Sequence, residues 1–105
     1  MFHIKQNDLN PVYETVLKRG TATVDLTTAT SVTFKMRKRH STILVVDAAA
    51  TIDTPATDGT VYYTWVTGDT ATAGSYDAEW EVLWPSGTET FPTLGYDRVA
   101  VDADL

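Results

Sequence analysis

The stretch SYDAEWEVLW runs from Ser75 to Trp84. Tyr76, Ala78, Trp80, Val82 and Trp84 fall on one parity, and Asp77, Glu79 and Glu81 on the other. Side chains of an extended chain alternate between two faces, so the stretch reads as a strand with an apolar inner face and a wet, charged outer one. Pro85-Ser86-Gly87 then stops the run and turns the chain. Just upstream, GDTATAG (Gly68–Gly74) is small and polar, and the change of character at Gly74 marks where the sheet is entered.

Two further stretches share this logic. SVTFKMRK, Ser31–Lys38, sets Val32, Phe34 and Met36 on one face and Thr33, Lys35 and Arg37 on the other. VYYTWV, Val61–Val66, is bulky on both parities, which suits a strand that is central or partly covered on its outer side, and Asp58-Gly59 before it is a turn signal. Weaker strand patterns lie at Phe2–Gln6, Val12–Lys18, Ile43–Asp47, Glu89–Phe91 and Tyr96–Val101. Ala48–Ile52 combines helix-forming alanines with β-branched neighbours and reads as a continuation of the strand before it. Thr27–Thr30 and Ala71–Ala73 read as connectors or single helical turns. Many short strands with frequent turns, and no long helical pattern, predict an all-β sandwich or barrel in one domain. The expected core is Val32, Phe34, Met36, Tyr63, Trp65, Tyr76, Ala78, Trp80 and Val82, with flexible ends at about 1–3 and 102–105.

Lys35 and Arg37 form the one alternating basic stripe, which predicts that Ser31–Lys38 lies beside the carboxylates of Tyr76–Trp84. Each exposed cross-strand pair contributes only about 0.2–1 kcal/mol, so the charges select the register while burial holds the sheet.

Composition narrows the classes. The chain has 105 residues, enough for one core, and 43% of them are hydrophobic, which excludes a disordered acidic tail. A net charge of -6 argues against nucleic acid and anionic membrane as partners. With no cysteine there is no disulfide, thiolate metal site or cysteine nucleophile, which suits assembly in a reducing cytoplasm. Met1–Asn10 lacks the pattern of a signal peptide, and no apolar run approaches the ~20 residues of a membrane helix.

The order of features across Phe2–Lys38 is more specific. FHIKQNDLNPVYETVLKRGTATVDLTTATSVTFKMRK holds an extended start, an Asn-Asp-x-x-Pro turn, a strand, then Val-Asp-Leu-Thr and an alternating strand ending Met-Arg-Lys. This resembles the N-terminal domain family of upper baseplate proteins of tailed bacteriophages. That family shows a similar Ile-Lys-Gln-x-Asp start and a Val-Asp-Leu-Thr-x-Ala-Thr-Val-x-Phe-x-Met-Arg segment. Thr28 stands where a glycine is common there, and Ser31 adds a residue before Val32. Gly68–Tyr76 resembles the second half of the family, and also the corner that precedes a core strand in immunoglobulin-like domains. The resemblance implies an antiparallel immunoglobulin-like β-sandwich built into a virion. In such a corner the tyrosine hydroxyl bonds nearby backbone, and Tyr76 is the candidate; a core tyrosine with a wet hydroxyl is the alternative.

No constellation names a reaction. His3 and His40 lack metal-spaced companions, and no Gly-x-Ser-x-Gly elbow is present. Glu79 and Glu81, two residues apart on a wet strand, read as a solvated face rather than a glycosidase pair. Asp53, Asp58 and Asp69 suit turns and caps. Asp102 and Asp104 lack EF-hand spacing and read as an acidic tail rather than a calcium site. In KMRKRH, Lys35–His40, no aromatic residues interleave to stack bases. Lys35, Arg37, Lys38 and Arg39 read as a charged strand end and turn, or as a patch that docks on an acidic neighbour. Trp84, next to Pro85, is the tryptophan expected to be most exposed. If it forms an open platform with Tyr62 and Phe91, the three could bind a protein partner or a glycan.

The expectation is therefore a non-enzymatic structural protein without cofactor. It would be made in a host bacterial cytoplasm and placed in the virion tail or baseplate. Its partners would be other virion proteins, in homo- or hetero-oligomers, with Phe2–Asn10 and Asp97–Leu105 as docking arms. The alternatives are a head, neck or decoration component and a glycan-binding adsorption module.

Overall fold

The computed structural model describes Met1–Leu105 as ten strands: β1 (Phe2–Lys5), β2 (Tyr13–Val16), β3 (Lys18–Arg19), β4 (Ala22–Thr23), β5 (Ser31–Lys38), β6 (Leu44–Ile52), β7 (Thr60–Tyr63), β8 (Gly74–Trp84), β9 (Gly87–Phe91) and β10 (Asp97–Asp102). The only helical piece is one 3-10 turn at Ala56–Asp58.

β5 and β8 pair antiparallel over their whole predicted overlap, with Phe34 opposite Trp80, Lys35 opposite Glu79 and Arg37 opposite Asp77. The register expected from the charges is therefore the one formed. Strand order is β1-β10-β8-β5-β6-β7-β2, and β9 pairs the lower half of β8. β6 runs on through Ile52, as its β-branched residues predicted. Its first part pairs β5, while Thr51 and Ile52 pair β7. One strand thereby carries the chain from one layer to the other, and the sheet curls until it is nearly a barrel. β1 is parallel to β10; the other pairings are antiparallel.

The core lies inside this curl. All nine expected core residues are buried, and they cluster with Ile4, Tyr13, Leu17, Val24, Leu26, Val46, Val61, Phe91, Val99 and Val101. Phe34 is the hub: ring centroids of Trp80 and Tyr63 lie 4.7 and 4.8 Å away, and Trp65 meets it edge-on at 5.9 Å. Fully burying a side chain of this class stabilises by about 1.5–3 kcal/mol, well above any one surface ion pair.

Three local readings change. The strand expected over Val61–Val66 ends at Tyr63, because Asp69 Oδ2 accepts from the Val66 amide at 2.8 Å and the Tyr63 hydroxyl at 2.7 Å, pulling the chain into a turn. Trp65 stays buried, its indole N–H donating to the Pro11 carbonyl at 3.1 Å. The expected Val12–Lys18 strand is broken at Leu17 into β2 and the β3–β4 hairpin. Gly59 serves that break: its φ is +69°, and a Cβ there would sit 2.6 Å from the Val24 carbonyl oxygen. Finally, the ends drawn as flexible include Phe2, His3 and Asp102, which β1 and β10 hold in pairing. The Phe2 ring lies 4.7 Å from that of Tyr13, and His3 Nδ1 is 2.9 Å from Asp102 Oδ2.

Candidate functional site

Asp77 is on the outer face, where alternation puts it, yet it is buried at 6% exposure and not wet as expected. The reason is register. β8 lies between β5 and β10, and Asp77 is opposite Arg37 on one side and Arg98 on the other. Arg98 Nη1 donates to Asp77 Oδ1, and Arg37 Nε lies 3.7 Å from Oδ2. The two guanidinium groups lie over the carboxylate and shield it. Arg37 also covers the Tyr96 ring, its Cζ 4.9 Å from the centroid. Its Nε is buried without a hydrogen-bond partner, because 3.7 Å is an ion-pair distance only. Lys35 Nζ donates to Glu81 Oε2 at 3.2 Å, diagonal to its direct neighbour Glu79.

The proposed basic patch therefore divides. Lys35 and Arg37 are spent inside the sheet. Lys38 and Arg39 close β5 at an exposed corner and take part in none of the ion pairs. The Arg39 amide donates to the Ser75 carbonyl at 2.9 Å, and His40 turns the chain at φ +69°. The corner thus presents two free cations beside the entrance of β8.

The aromatic platform does not form. Phe91 is 2% exposed and packs in the core, because β9 pairs the lower half of β8 with Phe91 opposite Trp80. Trp84 is half-buried. Arg19 covers its ring, 5.6 Å from the centroid, and its indole N–H donates to Glu89 Oε1 at 3.0 Å. Arg19 holds Glu89 through two bonds, 2.8 Å from Nε and 2.6 Å from Nη2. This bond, more than charge alone, keeps the Glu89 carboxyl below its ordinary pKa and raises that of Arg19. The cluster ties the β3–β4 hairpin to the β8–β9 hairpin.

Comparison with known proteins finds no matching family model, no matching curated protein and no matching solved structure.

Tyr76 donates its hydroxyl proton to the Thr72 carbonyl at 2.5 Å, so the corner bond is made and the wet alternative is not. Asp102 is held by His3, and Asp104 Oδ1 accepts from the Leu105 amide at 3.0 Å. No three His, Cys, Asp or Glu side chains come together where they could hold a metal ion.

β2 and β10 face each other across the curl without backbone pairing. Their seam is crossed by side chains: Tyr13 Oη donates to Asp97 Oδ2 at 3.1 Å, and Trp80 Nε1 to the same oxygen at 3.3 Å. Burial, reinforced by the Asp97 carboxylate, drives the Tyr13 pKa far above its ordinary value. Clefts of about 230 and 370 Å³ open along the seam, and both include Thr15 and Asp97. No sequence signal marks an unpaired edge, since pairing partners are a property of the closed sheet.

Proposed function

We propose that the chain is an immunoglobulin-like, non-enzymatic structural module of a tailed-phage virion, docking in the tail or baseplate. The Tyr76–Thr72 bond carries the fold half of this reading. A tyrosine near the start of the sixth strand of an immunoglobulin sandwich bonds backbone a few residues upstream, and Tyr76 does so at the start of β8. Strand order supports it. β5, β8 and β10 lie in the order of the C, F and G strands, and β2, β7 and the end of β6 in the order B, E and D. The virion half rests on the resemblance across Phe2–Lys38, which supplies β1 to β5. The mechanism is geometric: a rigid sandwich presents charged corners and strand edges, and weak contacts repeated by symmetry add up.

The test is compositional. Phage particles purified from a culture that makes the chain should contain it at fixed stoichiometry. Lysine cross-linking should join it to neighbours through the exposed Lys38 corner. A chain left wholly in the particle-free supernatant ends the proposal.

A further inference from the structure

The free edge of β6 is a vacant strand position, and we propose that it receives an extended segment of a partner protein with the pattern apolar–cation–apolar.

The fold itself leaves this position open. β6 pairs β5 from Leu44 to Ala50, and on its other side β7 reaches only Thr51 and Ile52, with Tyr62 opposite Thr51. The chain after Tyr62 does not follow the edge. Tyr63 stays with Tyr13 of β2, and Asp69 Oδ2 then accepts from the Val66 amide and draws the chain into a turn. Past the register shift between Met36 and Arg37, the pairing of Val46–Ala50 with β5 is unbroken, so this part of the edge is a regular strand. Such an edge is a template for an added strand, the basis of β-augmentation. Both neighbours of β6 are antiparallel to it, and that arrangement is slightly the more stable per residue, so the added segment runs antiparallel too.

Side-chain parity then sets the pattern. Val46 is buried and Ala48 is half-buried against the core, whereas Asp47 and Ala49 are exposed on the outer face. Residues of the segment opposite Val46 and Ala48 point inward beside them, and apolar side chains belong there. The residue between these two points outward, opposite Asp47. Asp47 takes part in none of the ion pairs. Lys35, across from it on β5, is also opposite Glu79 and donates to Glu81, so Asp47, Glu79 and Glu81 share a single ammonium group. Arg37, the next cation along β5, lies with Arg98 against Asp77. Arg39 stands past the last β6 pair, its amide tied to Ser75 on β8. The outer face around Asp47 is therefore acidic, and the residue opposite it should be Lys or Arg. A second copy of β6 is excluded by the same chemistry in any register: LVVDAAATI contains no cation, and the copy adds a net charge of -6. Ile43, Leu44 and Val45, exposed where β6 begins, extend the apolar contact beyond the C-terminal end of the segment. Backbone pairing supplies affinity and the alternating side chains supply specificity. The inference deepens the docking role proposed above and rests on it only for which protein carries the segment.

The probes are the acetylated, amidated heptapeptide Thr-Thr-Val-Lys-Val-Thr-Thr and its counterpart with Glu for Lys, titrated into the ¹⁵N-labelled full chain. The lysine peptide should shift the amides of Val46–Ala50 saturably and bind at least three-fold tighter than the glutamate peptide. Asp47→Asn should remove that preference and Asp47→Lys should reverse it. Both changes fall on an exposed side chain, and the amide spectrum of each free variant shows that it is folded. Equal binding of the two peptides by the parent chain, an unchanged preference in either variant, shifts confined to other surfaces, or no binding at millimolar peptide overturns the inference. A dimer of the chain alone that protects the same amides also overturns it, because the occupant is then a second copy. Absence from particles would end the virion reading without touching the edge, and failed peptide binding would do the reverse.

Discussion

The hydroxyl of Tyr76 lies 2.5 Å from the carbonyl oxygen of Thr72, tying the first turn of β8 to the connector that delivers it. Gly74 lies between them at φ +151°, with Lys38 Cε 3.1 Å from where its Cβ would be. The bond therefore spans the glycine at which the chain enters β8. Tyr76→Phe keeps the ring in the core and removes only the bond. It should cost about 1 kcal/mol and lower the melting temperature by roughly 4–8 °C. Thermal unfolding followed by circular dichroism checks this. An unchanged melting temperature means the corner is held by packing alone.

Asp77 is the anion shared by Arg37 and Arg98. Its loss leaves two cations facing each other across β8. Both arginine side chains are about one-third exposed, so water compensates in part. Asp77→Ala should therefore cost about 2 kcal/mol rather than the roughly 3–5 typical of a fully buried pair. Arg98→Ala, which leaves Arg37 in place, should cost less. Chemical denaturation of the two variants ranks them, and the reverse order would show that Asp77 is not the keystone of the outer face.

These two residues also show how far sequence reaches. Parity along Ser75–Trp84 assigns each side chain to a face, and the basic stripe of Ser31–Lys38 finds its partner and register, because both signals are local or pairwise. The burial of Asp77 depends on a third strand, β10, whose Arg98 arrives from 21 residues away. The five residues Gly87–Phe91 carry too little pattern to say which way Phe91 faces, and only pairing with β8 turns the ring inward. The seam at Asp97 was wholly hidden. It exists because two strands do not pair, and no residue type encodes that.

Acid should loosen the β3–β4 hairpin first. Glu89 is held below its ordinary pKa chiefly by the hydrogen bond from Arg19, so its folded value lies under its unfolded one. Its stabilisation is present above its unfolded pKa of about 4.3 and is lost as pH falls through the lowered folded value. The acid limb of melting temperature against pH should be flatter in Glu89→Gln than in the parent chain. Superimposable acid limbs would show that the Arg19–Glu89–Trp84 cluster does not contribute.

Alkali acts through the tyrosines. Burial raises the pKa values of Tyr13, Tyr63 and Tyr76, and the carboxylates Asp97 and Asp69 add to the effect at the first two. The folded state then keeps protons that the unfolded state releases. Stability is complete below the unfolded value of about 10 and falls as pH rises beyond it. Phenolate absorbance from these three should appear together with loss of the β-sheet circular dichroism signal. Ionisation of all three near pH 10 in a chain that is still folded would contradict their burial.

The free edge of β6 must also be kept from a second copy of the chain. From Leu44 to Ala50 it pairs β5 on one side, and β7 takes only Thr51 and Ile52 on the other. Ile43, Leu44 and Val45 are exposed at its start. Two devices protect it: the register shift between Met36 and Arg37, and the exposed charge of Asp47. In the antiparallel self-pairing that matches Leu44 with Ala50, Asp47 meets Asp47 of the other copy, and directly opposed like charges are unfavourable. Asp47→Val removes that repulsion and leaves an apolar run from Ile43 to Ala50. The variant should associate at concentrations where the parent chain does not, seen as a concentration-dependent rise in sedimentation coefficient. Asp47→Lys keeps a charge at the edge and should sediment like the parent chain. If Asp47→Val does so too, the shifted register alone guards the edge.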